Sequence, residues 1–295
     1  MVMDNSYGRK GEEGMTKIIS DSTSDLSEEL INRYDIRIIP LHILLGEEEY
    51  EDGFGITPGQ IYEWADKNKT TPKTSAPSLE KAIEVMGPIL EAGDEIVCFT
   101  ISSDMSTSYN VMRLAAEELE ASDRVFVIDS ANLSTGIGHL VVEAAEMAKK
   151  GMAAKEIVQQ IEDLKPRVRA SFVVDTLMYL YRGGRCTGVA ALAGSMLKLH
   201  PKIVVADGKM GVGKKYRGRI EHVIMEYAGD MKEDLLKAKK DRVFITHSGC
   251  DQAVVDAVYQ YLEELHHFTN ISVTRAGGVI SSHCGPGTLG VLYID

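Results

Sequence analysis

The sequence has few of the features that define disulfide scaffolds, zinc sites or membrane proteins. Among its 295 residues are only four cysteines, Cys98, Cys186, Cys250 and Cys284. They form no C-x-x-C pair, so we interpret them as reduced thiols rather than as disulfides or zinc ligands. The chain also has no apolar run long enough to span a bilayer. These absences predict a globular, cytoplasmic protein without a membrane span.

Motifs for nucleotides and metals are absent as well. The segment Gly211–Lys214 lacks the spacing of a phosphate-binding P-loop, and Gly136 and Gly138 lack the third glycine of a dinucleotide-binding turn. The eight histidines form no H-E-x-x-H or H-x-H pattern. The net charge of −12 argues against a nucleic-acid partner, because a phosphate backbone requires a basic surface. We therefore expect no cofactor, no metal and no nucleic acid.

Composition along the chain predicts two domains after a short extension. Residues 1–14 are polar and lack the apolar core of a signal peptide, so we expect a disordered extension there. A charged helix over about 151–166 ends at a proline and is the expected hinge. We accordingly predict an N-terminal α/β domain over 15–165 and a C-terminal α/β domain over 166–295.

Apolar runs alternate with helical patterns in the first half. Strands are predicted over 17–20, 36–44, 95–100 and 124–128. Helices between them indicate βαβ units, and hence a mostly parallel sheet with helices on both faces. Pro40 places the second strand at an edge or disturbs its ladder. Thr57-Pro-Gly-Gln60 predicts a helix start with a capping box.

The second half predicts a further α/β unit. Its expected elements are a strand over 168–174, a short helix over 177–182, a hairpin over 202–216, one long charged helix over about 220–239, and strands over 242–247, 271–274 and 289–294. Residues 281–288, which include His283, are expected to form a rigid turn before the last strand.

Hydroxyl-rich segments follow several predicted strands. They are Asp21–Asp25, the extended loop Thr70–Ser78, the central segment Thr100–Asn110 and Asp129–Gly136. Open α/β sheets place ligands where their strands end, and a helix N-terminus favours an anion. The alternative is that these residues only cap helices and form local turns. The pattern therefore leaves open whether the hydroxyls bind a ligand.

Several side chains are candidates for chemistry. A Ser/His/Asp triad would need Ser106 or Ser103, His283 or His247, and one of Asp21, Asp104 and Asp129, but the sequence has no G-x-S-x-G elbow. Gly183-Gly-Arg185 is either a helix C-cap or a donor fork for an oxyanion. The basic stretch 214–219 is either a solvated surface or the receiver of an acidic partner.

Taken together, the ordered motifs of the chain resemble the DegV family from Lys17 to Asp295. They are Asp21–Asp25, Thr74–Ser78, Ser102–Tyr109, Leu180–Arg185, Asp207-Gly208 with the Arg217 region, and His283–Thr288. Two departures stand out: the family usually has Gln at the position of Ala76, and Gly-Thr where this chain has Thr107-Ser108.

The resemblance implies a two-domain α/β fold that buries one long-chain fatty acid, such as palmitate or oleate, in a tunnel between the domains. It implies a non-catalytic subunit that presents the fatty acid carboxylate to an ATP-dependent kinase subunit for acyl-phosphate formation. By position, Thr74 and Ser106 would hold the carboxylate with Arg185 and His283 nearby. Ser75 and Ser103 would lie beside them, and Arg217 would face the kinase.

Two neutral hydroxyls at roughly 1 kcal/mol each cannot offset the desolvation of a carboxylate. We therefore expect Arg185 and His283 to contribute to binding. The alternative function is a stand-alone enzyme, a hydrolase or transferase. It would act on a small oxyanion substrate through the Ser/Thr loops, with His283 as acid or base.

Overall fold

A computed structural model describes residues 14–190, Leu192 and residues 199–295. The predicted extension therefore lies outside the described residues, apart from Gly14. The strands are β1 (Thr16–Asp21), β2 (Arg37–Ile39), β3 (His42–Leu45), β4 (Glu48–Glu51), β5 (Lys73–Ser75), β6 (Glu95–Thr100), β7 (Val125–Asp129), β8 (Val168–Val173), β9 (Cys186–Thr187), β10 (His200–Ala206), β11 (Lys209–Tyr216), β12 (Val243–His247), β13 (Ile271–Arg275) and β14 (Leu289–Ile294).

The helices alternate with these strands along most of the chain. They are α1 (Glu28–Tyr34), α2 (Pro58–Asn68), α3 (Leu79–Glu91), α4 (Ser108–Glu118), α5 (Thr135–Lys149), α6 (Ala154–Leu164), α7 (Met178–Gly183), α8 (Ile220–Asp230), α9 (Lys232–Leu235), α10 (Gln252–Glu264) and α11 (Gly278–Cys284). Within the described ranges, no helix combines the length and apolar character needed to cross a bilayer.

The first sheet is parallel throughout, in the order β2-β1-β6-β7. Adjacent residues of a strand face opposite sides of a sheet, and both sides are covered here. Ile19 packs with the buried residues of α3 and α4. Its neighbour Ile18 packs with those of α5 and α6 on the other face. The predicted parallel sheet with helices on both faces is confirmed.

The second sheet has seven strands in the order β13-β12-β14-β8-β10-β11-β9, with parallel and antiparallel pairs. Helices α8 and α10 cover one face. Helix α5 contacts β1 and β6 of the first sheet and also β8 and β14 of the second. A helix packed between two sheets has no solvent face, which explains why residues 135–145 are all buried.

These two units confirm the predicted α/β fold with a second α/β domain. All four strands of the parallel sheet end before residue 165, and all seven strands of the second sheet begin after it. On that basis we propose residues 15–165 and 166–295 as the two domains.

A third, antiparallel sheet in the order β4-β3-β5 corrects the single strand predicted over 36–44. Strand β2 ends at Ile39 and β3 begins at His42, because Pro40 lacks the N–H that would continue the ladder. The chain leaves the parallel sheet at this point and pairs with β5 instead, opposite Thr74. The break thus creates the small sheet that carries one of the predicted site residues.

The predicted capping box is present at Thr57. Its side chain accepts from the N–H of Gln60, and the Gln60 side chain accepts from the N–H of Thr57. The helix predicted over 220–239 is wrong in length. Helix α8 ends at Asp230 and only the short α9 follows.

The turn predicted over 281–288 is also wrong in its first part. His283 lies in the last turn of α11, and the chain leaves that helix at Gly285, whose φ of 75° lies in the left-handed region that glycine tolerates. His283 is therefore held by a helix.

Candidate functional site

A cavity of about 480 Å³ lies where the small sheet, the loop after β6 and helix α11 meet. Its volume falls in the range of about 300–1,000 Å³ that is typical of small-molecule sites. All six residues predicted to bind a carboxylate line it: Thr74, Ser75, Ser103, Ser106, Arg185 and His283. Segments more than 200 residues apart in sequence therefore converge on one space.

The shortest contact between predicted site residues joins β5 to α11. Thr74 Oγ1 lies 2.8 Å from His283 Nε2. Burial, with a smaller contribution from the positive charge of Arg185, lowers the pKa of His283 to about 4. The imidazole is therefore neutral at neutral pH, and its contribution to an anion site is a hydrogen bond rather than a charge.

The surroundings of His283 indicate its tautomer. His283 Nδ1 is buried and has no hydrogen-bond partner in the described part of the chain. It lies against Gly183, where an added Cβ would come within 2.5 Å of it. A buried N–H without an acceptor is rarer in proteins than an under-satisfied acceptor, so we assign the proton to Nε2. His283 then donates to Thr74 Oγ1, and the Thr74 hydroxyl proton is free to point into the cavity.

Two serines of the central loop differ in what they can offer. Ser106 Oγ lies 2.9 Å from Ser108 Oγ and accepts from the N–H of Ser108 at 3.3 Å. Ser103 Oγ donates to the Asp129 carboxylate, and the N–H of Ser103 donates to the same group. Because Ser103 has committed its only hydroxyl proton to Asp129, Ser106 is the better donor to a bound anion.

The remaining predicted residues are exposed. Arg185 is exposed, and its Nη1 donates to the carbonyl oxygen of Gly183 at 2.7 Å, one of the five N–H donors of a guanidinium. Ser75 is exposed at the end of β5. Arg217 is exposed after β11 and is not among the residues that line the cavity.

The rest of the cavity is largely apolar. The apolar lining residues are Leu41, Ala76, Ile101, Met105, Leu133, Met210, Val279, Ile280 and Cys284. A second, small space of about 20 Å³ shares Leu133, Ile280 and Cys284 with the first. It continues toward Phe172 and Leu292 of the seven-stranded sheet. The polar end of the first cavity therefore adjoins an apolar lining, and the second space lies next to it.

Sequence reasoning missed the apolar lining because these residues follow the same strand and helix periodicities as the core. It also missed Asp25 and Asp52, which are buried beside the first turn of α11. Asp25 belongs to the hydroxyl-rich segment Asp21–Asp25, in which Asp21 is the acid that sequence reasoning considers. Asp52 directly follows the acidic strand β4, and nothing in the sequence separates it from the exposed acidic residues Glu47–Glu49.

A larger and more open groove of about 1020 Å³ runs between α1 and α3. None of the six predicted site residues lines it. We therefore place the candidate site in the smaller cavity, where the predicted polar groups converge.

The geometry argues against the triad considered from the sequence. His283 Nε2 is engaged with Thr74, and Nδ1 has no carboxylate partner among the described residues. An imidazole with a pKa of about 4 is also a weak general base at neutral pH. In the described ranges, no three His, Cys, Asp or Glu side chains are close enough to hold a metal ion.

Comparison with known proteins gives a family match over residues 15–295, to a family described as uncharacterised DegV proteins. A DegV domain-containing protein of Deinococcus radiodurans is 32% identical over 275 residues, which are 93% of this chain and 96% of that protein.

Solved structures are similar over nearly the whole chain. A DegV family protein of Thermus thermophilus, described as binding fatty acid, matches with a TM-score of 0.87 and 30% identity, covering 95% of this chain and 99% of that one. A stearic-acid-binding protein of Eubacterium ventriosum matches with a TM-score of 0.83 and 30% identity, covering 95% and 98%.

Proposed function

Since the chain belongs to the DegV family, we propose that it binds one long-chain fatty acid, such as palmitate or oleate, in the cavity between its two domains. The carboxylate lies at the end formed by Thr74, Ser106 and His283, with Arg185 at the exposed side. The hydrocarbon chain follows the apolar lining toward Phe172 and Leu292. The protein is a carrier in this proposal, and it catalyses no reaction by itself.

The observation that carries this proposal is that hydrogen-bonding groups and an apolar lining belong to one cavity. Burying about fifteen methylene and methyl groups at about 0.8 kcal/mol each contributes on the order of 12 kcal/mol before ordering costs. The polar end fixes orientation, since the neutral His283 donates to Thr74 and the Thr74 proton is left for the carboxylate. Two fatty-acid-binding relatives of the same fold support the ligand class.

We further propose that the bound carboxylate is presented to an ATP-dependent kinase subunit that forms the acyl phosphate. Because the sequence has no nucleotide-binding motif, this proposal assigns the phosphoryl transfer to the partner. Arg217 is exposed within a basic stretch of an otherwise acidic chain, and such a patch favours association with an acidic surface. Arg217 is our candidate contact.

The site assignment is tested with Thr74→Val combined with Ser106→Ala. Both hydroxyl donors to the carboxylate are lost, and at roughly 1 kcal/mol each the affinity for oleate falls by about one order of magnitude or more. The measurement is calorimetric or fluorescence titration of delipidated protein. Thr74→Ser is the matched control, because it retains the hydroxyl.

Circular dichroism establishes that each variant is folded before binding is compared. Wild-type affinity in the folded double variant would contradict the assignment of Thr74 and Ser106. For the kinase step, Arg217→Ala is expected to lower acyl-phosphate formation with a kinase partner while oleate affinity stays unchanged. Equal turnover of the variant and the wild type would remove Arg217 from the proposed contact.

A further inference from the structure

Two buried carboxylates of the first domain meet the first turn of α11. Asp25 Oδ1 accepts from the N–H of Gly277 at 2.8 Å, and Asp52 Oδ1 accepts from the N–H of Gly278 at 2.7 Å. Asp25 is only 5% exposed and Asp52 only 3%. Burying a carboxylate is costly unless hydrogen bonds satisfy it, so these two contacts are strongly constrained.

Each carboxylate is also fixed from its other side. Asp25 Oδ2 accepts from the Ser134 hydroxyl, and Asp52 Oδ2 accepts from the Ser22 hydroxyl at 2.8 Å. Ser134 has a φ of 53° and a ψ of −144°, a strained conformation for a residue other than glycine. The surrounding contacts therefore hold Ser134, and through it Asp25, in one arrangement.

The helix leaves no free space at this end. A Cβ at Gly278 would lie 2.4 Å from Ile43 Cδ1 and 3.0 Å from Asp52 Oδ1. Helix α11 has seven residues, so it is roughly 10 Å long and behaves as one rigid unit. Any shift of its first turn therefore moves His283 at its last turn.

His283 has little tolerance for such a shift. It is held between Gly183, whose backbone abuts Nδ1, and Thr74, whose hydroxyl lies 2.8 Å from Nε2. A displacement of about 1 Å takes that contact beyond hydrogen-bonding distance. The carboxylate end of the cavity thus depends on where the first turn of α11 is fixed.

We propose that Asp25 and Asp52 are positioning residues for the ligand site: they fix α11 across the domain junction and so set His283 at hydrogen-bonding distance from Thr74. The identity of the ligand rests on the proposed function above. The placement of His283 does not rest on it, because it concerns the protein without ligand.

The charges around Asp25 make this arrangement sensitive to pH. Asp25 faces the acidic Asp21 and Asp52 and the buried thiol of Cys284. Arg275 lines the same surface groove as both aspartates and is the nearby cation we identify there. Burial raises the pKa of Asp25 to about 8 and also raises that of Asp52. Ionisation of Asp25 strengthens its own bond from the Gly277 N–H but adds a charge beside two other carboxylates, and their repulsion destabilises the arrangement that fixes α11.

The experiment compares Asp25→Ala, Asp52→Ala and Asp25→Asn with the wild type, with exposed Asp123→Ala as the matched control. The first readout is the His283 imidazole resonance in ligand-free protein, which reports its hydrogen bond to Thr74. The second is the oleate dissociation constant at about pH 6.5 and about pH 9. For the alanine variants we expect a shifted resonance and an affinity about tenfold weaker at both pH values.

The asparagine variant tests the role of charge. Its amide can accept from Gly277 and donate to Ser134, but it cannot ionise. We expect the wild-type dissociation constant to rise by about tenfold between the two pH values, and that of Asp25→Asn to rise by less than about twofold. An equal rise of the dissociation constant with pH in both proteins would overturn the proposed role of Asp25.

The His283 resonance tests the placement of His283 separately from ligand binding. An unchanged His283 resonance in folded alanine variants would overturn the positioning role, whether or not oleate binds. Where an alanine variant fails to fold, Asp25→Asn and Asp52→Asn supply the same comparison. A wild type that takes up no oleate would refute the proposed function and would leave the test of His283 placement intact.

Discussion

His283 is half-buried and neutral, and in the described part of the chain its Nδ1 lies against a glycine rather than against a polar partner. Gly183 lies close to Nδ1, and its φ lies outside the positive range, so alanine meets no backbone strain there. The sequence predicts that the Gly-Gly-Arg motif is a helix cap or a donor fork. The first glycine has a third role, which is to leave room for the imidazole.

Gly183→Ala is predicted to push His283 away from Thr74, because the new methyl group would lie 2.5 Å from Nδ1. Overpacking of this kind costs about 1–3 kcal/mol. We expect oleate affinity to fall by about tenfold in a titration of the delipidated variant. Gly229→Ala is the control, since a Cβ there meets nothing within 4 Å. Equal affinity of the two variants would show that Gly183 does not limit His283.

At this scale the sequence predicted which polar residues share the cavity, but could not predict how each is used. Ser103 and Ser106 are alike in sequence, and only the fold shows that Ser103 donates to Asp129. The apolar lining was also out of reach, because Leu41 and Met210 have the same local pattern as ordinary core residues. Long-range contacts, which no local pattern records, decide these roles.

At the scale of elements, prolines and glycines determined where predictions held and where they failed. Thr57-Pro58 correctly predicted the start of α2. Pro40 was expected to disturb a strand, and it ends β2 and sends the chain into a different sheet. The turn expected around His283 is partly helix α11, because residues 278–282 and Cys284 are buried among other elements and tertiary packing stabilises a helix there.

Thr57→Ala is predicted to destabilise the protein by about 1 kcal/mol, since one side of the capping box is lost. Thermal unfolding followed by circular dichroism should show a midpoint about 2–4 °C lower. Thr70→Ala is the comparison, because Thr70 is also exposed but lies beyond the end of α2. An unchanged midpoint for Thr57→Ala would mean that the cap contributes nothing measurable to global stability.

At the scale of the whole molecule, the two domains meet through buried polar contacts as well as through α5. Thr135 Oγ1 lies 2.6 Å from Thr246 Oγ1, and Ser102 Oγ donates to the carbonyl oxygen of Gly208 at 2.7 Å. The alternation of strands and helices predicted two α/β units. It contained no information on which side chains join them, since those pairs are separated by about a hundred residues or more.

Stability is predicted to fall between about pH 6.5 and about pH 8. The pKa of Asp25 is raised to about 8, against about 3.9 in an unfolded chain, so the folded state binds that proton more tightly. The corresponding stability is complete below about pH 4 and is lost as the pH rises through about 8. Denaturant titrations should show this fall in the wild type and a flatter profile in Asp25→Asn. Parallel profiles would contradict the role of Asp25.

Below about pH 6.5, stability is predicted to depend on pH in the opposite direction, because of His283 and His139. Burial lowers the pKa of His283 to about 4 and that of His139 to about 3, so both side chains stay neutral in the folded state. Their contribution to stability is present above about pH 6.5 and is lost as the pH falls toward these values. As the pH falls below about 6.5, the two histidines lower the stability of the protein while protonation of Asp25 raises it. The test of Asp25 therefore belongs above about pH 6.5.

The central claim is that this protein carries one long-chain fatty acid, and native mass spectrometry of the purified protein tests it most directly. The account predicts a single mass increment of one ligand per chain, which denaturation and lipid extraction release as one fatty acid of about fourteen to eighteen carbons. Delipidated protein should regain the increment when it is mixed with oleate or palmitate. An empty protein that takes up neither acid would contradict the account.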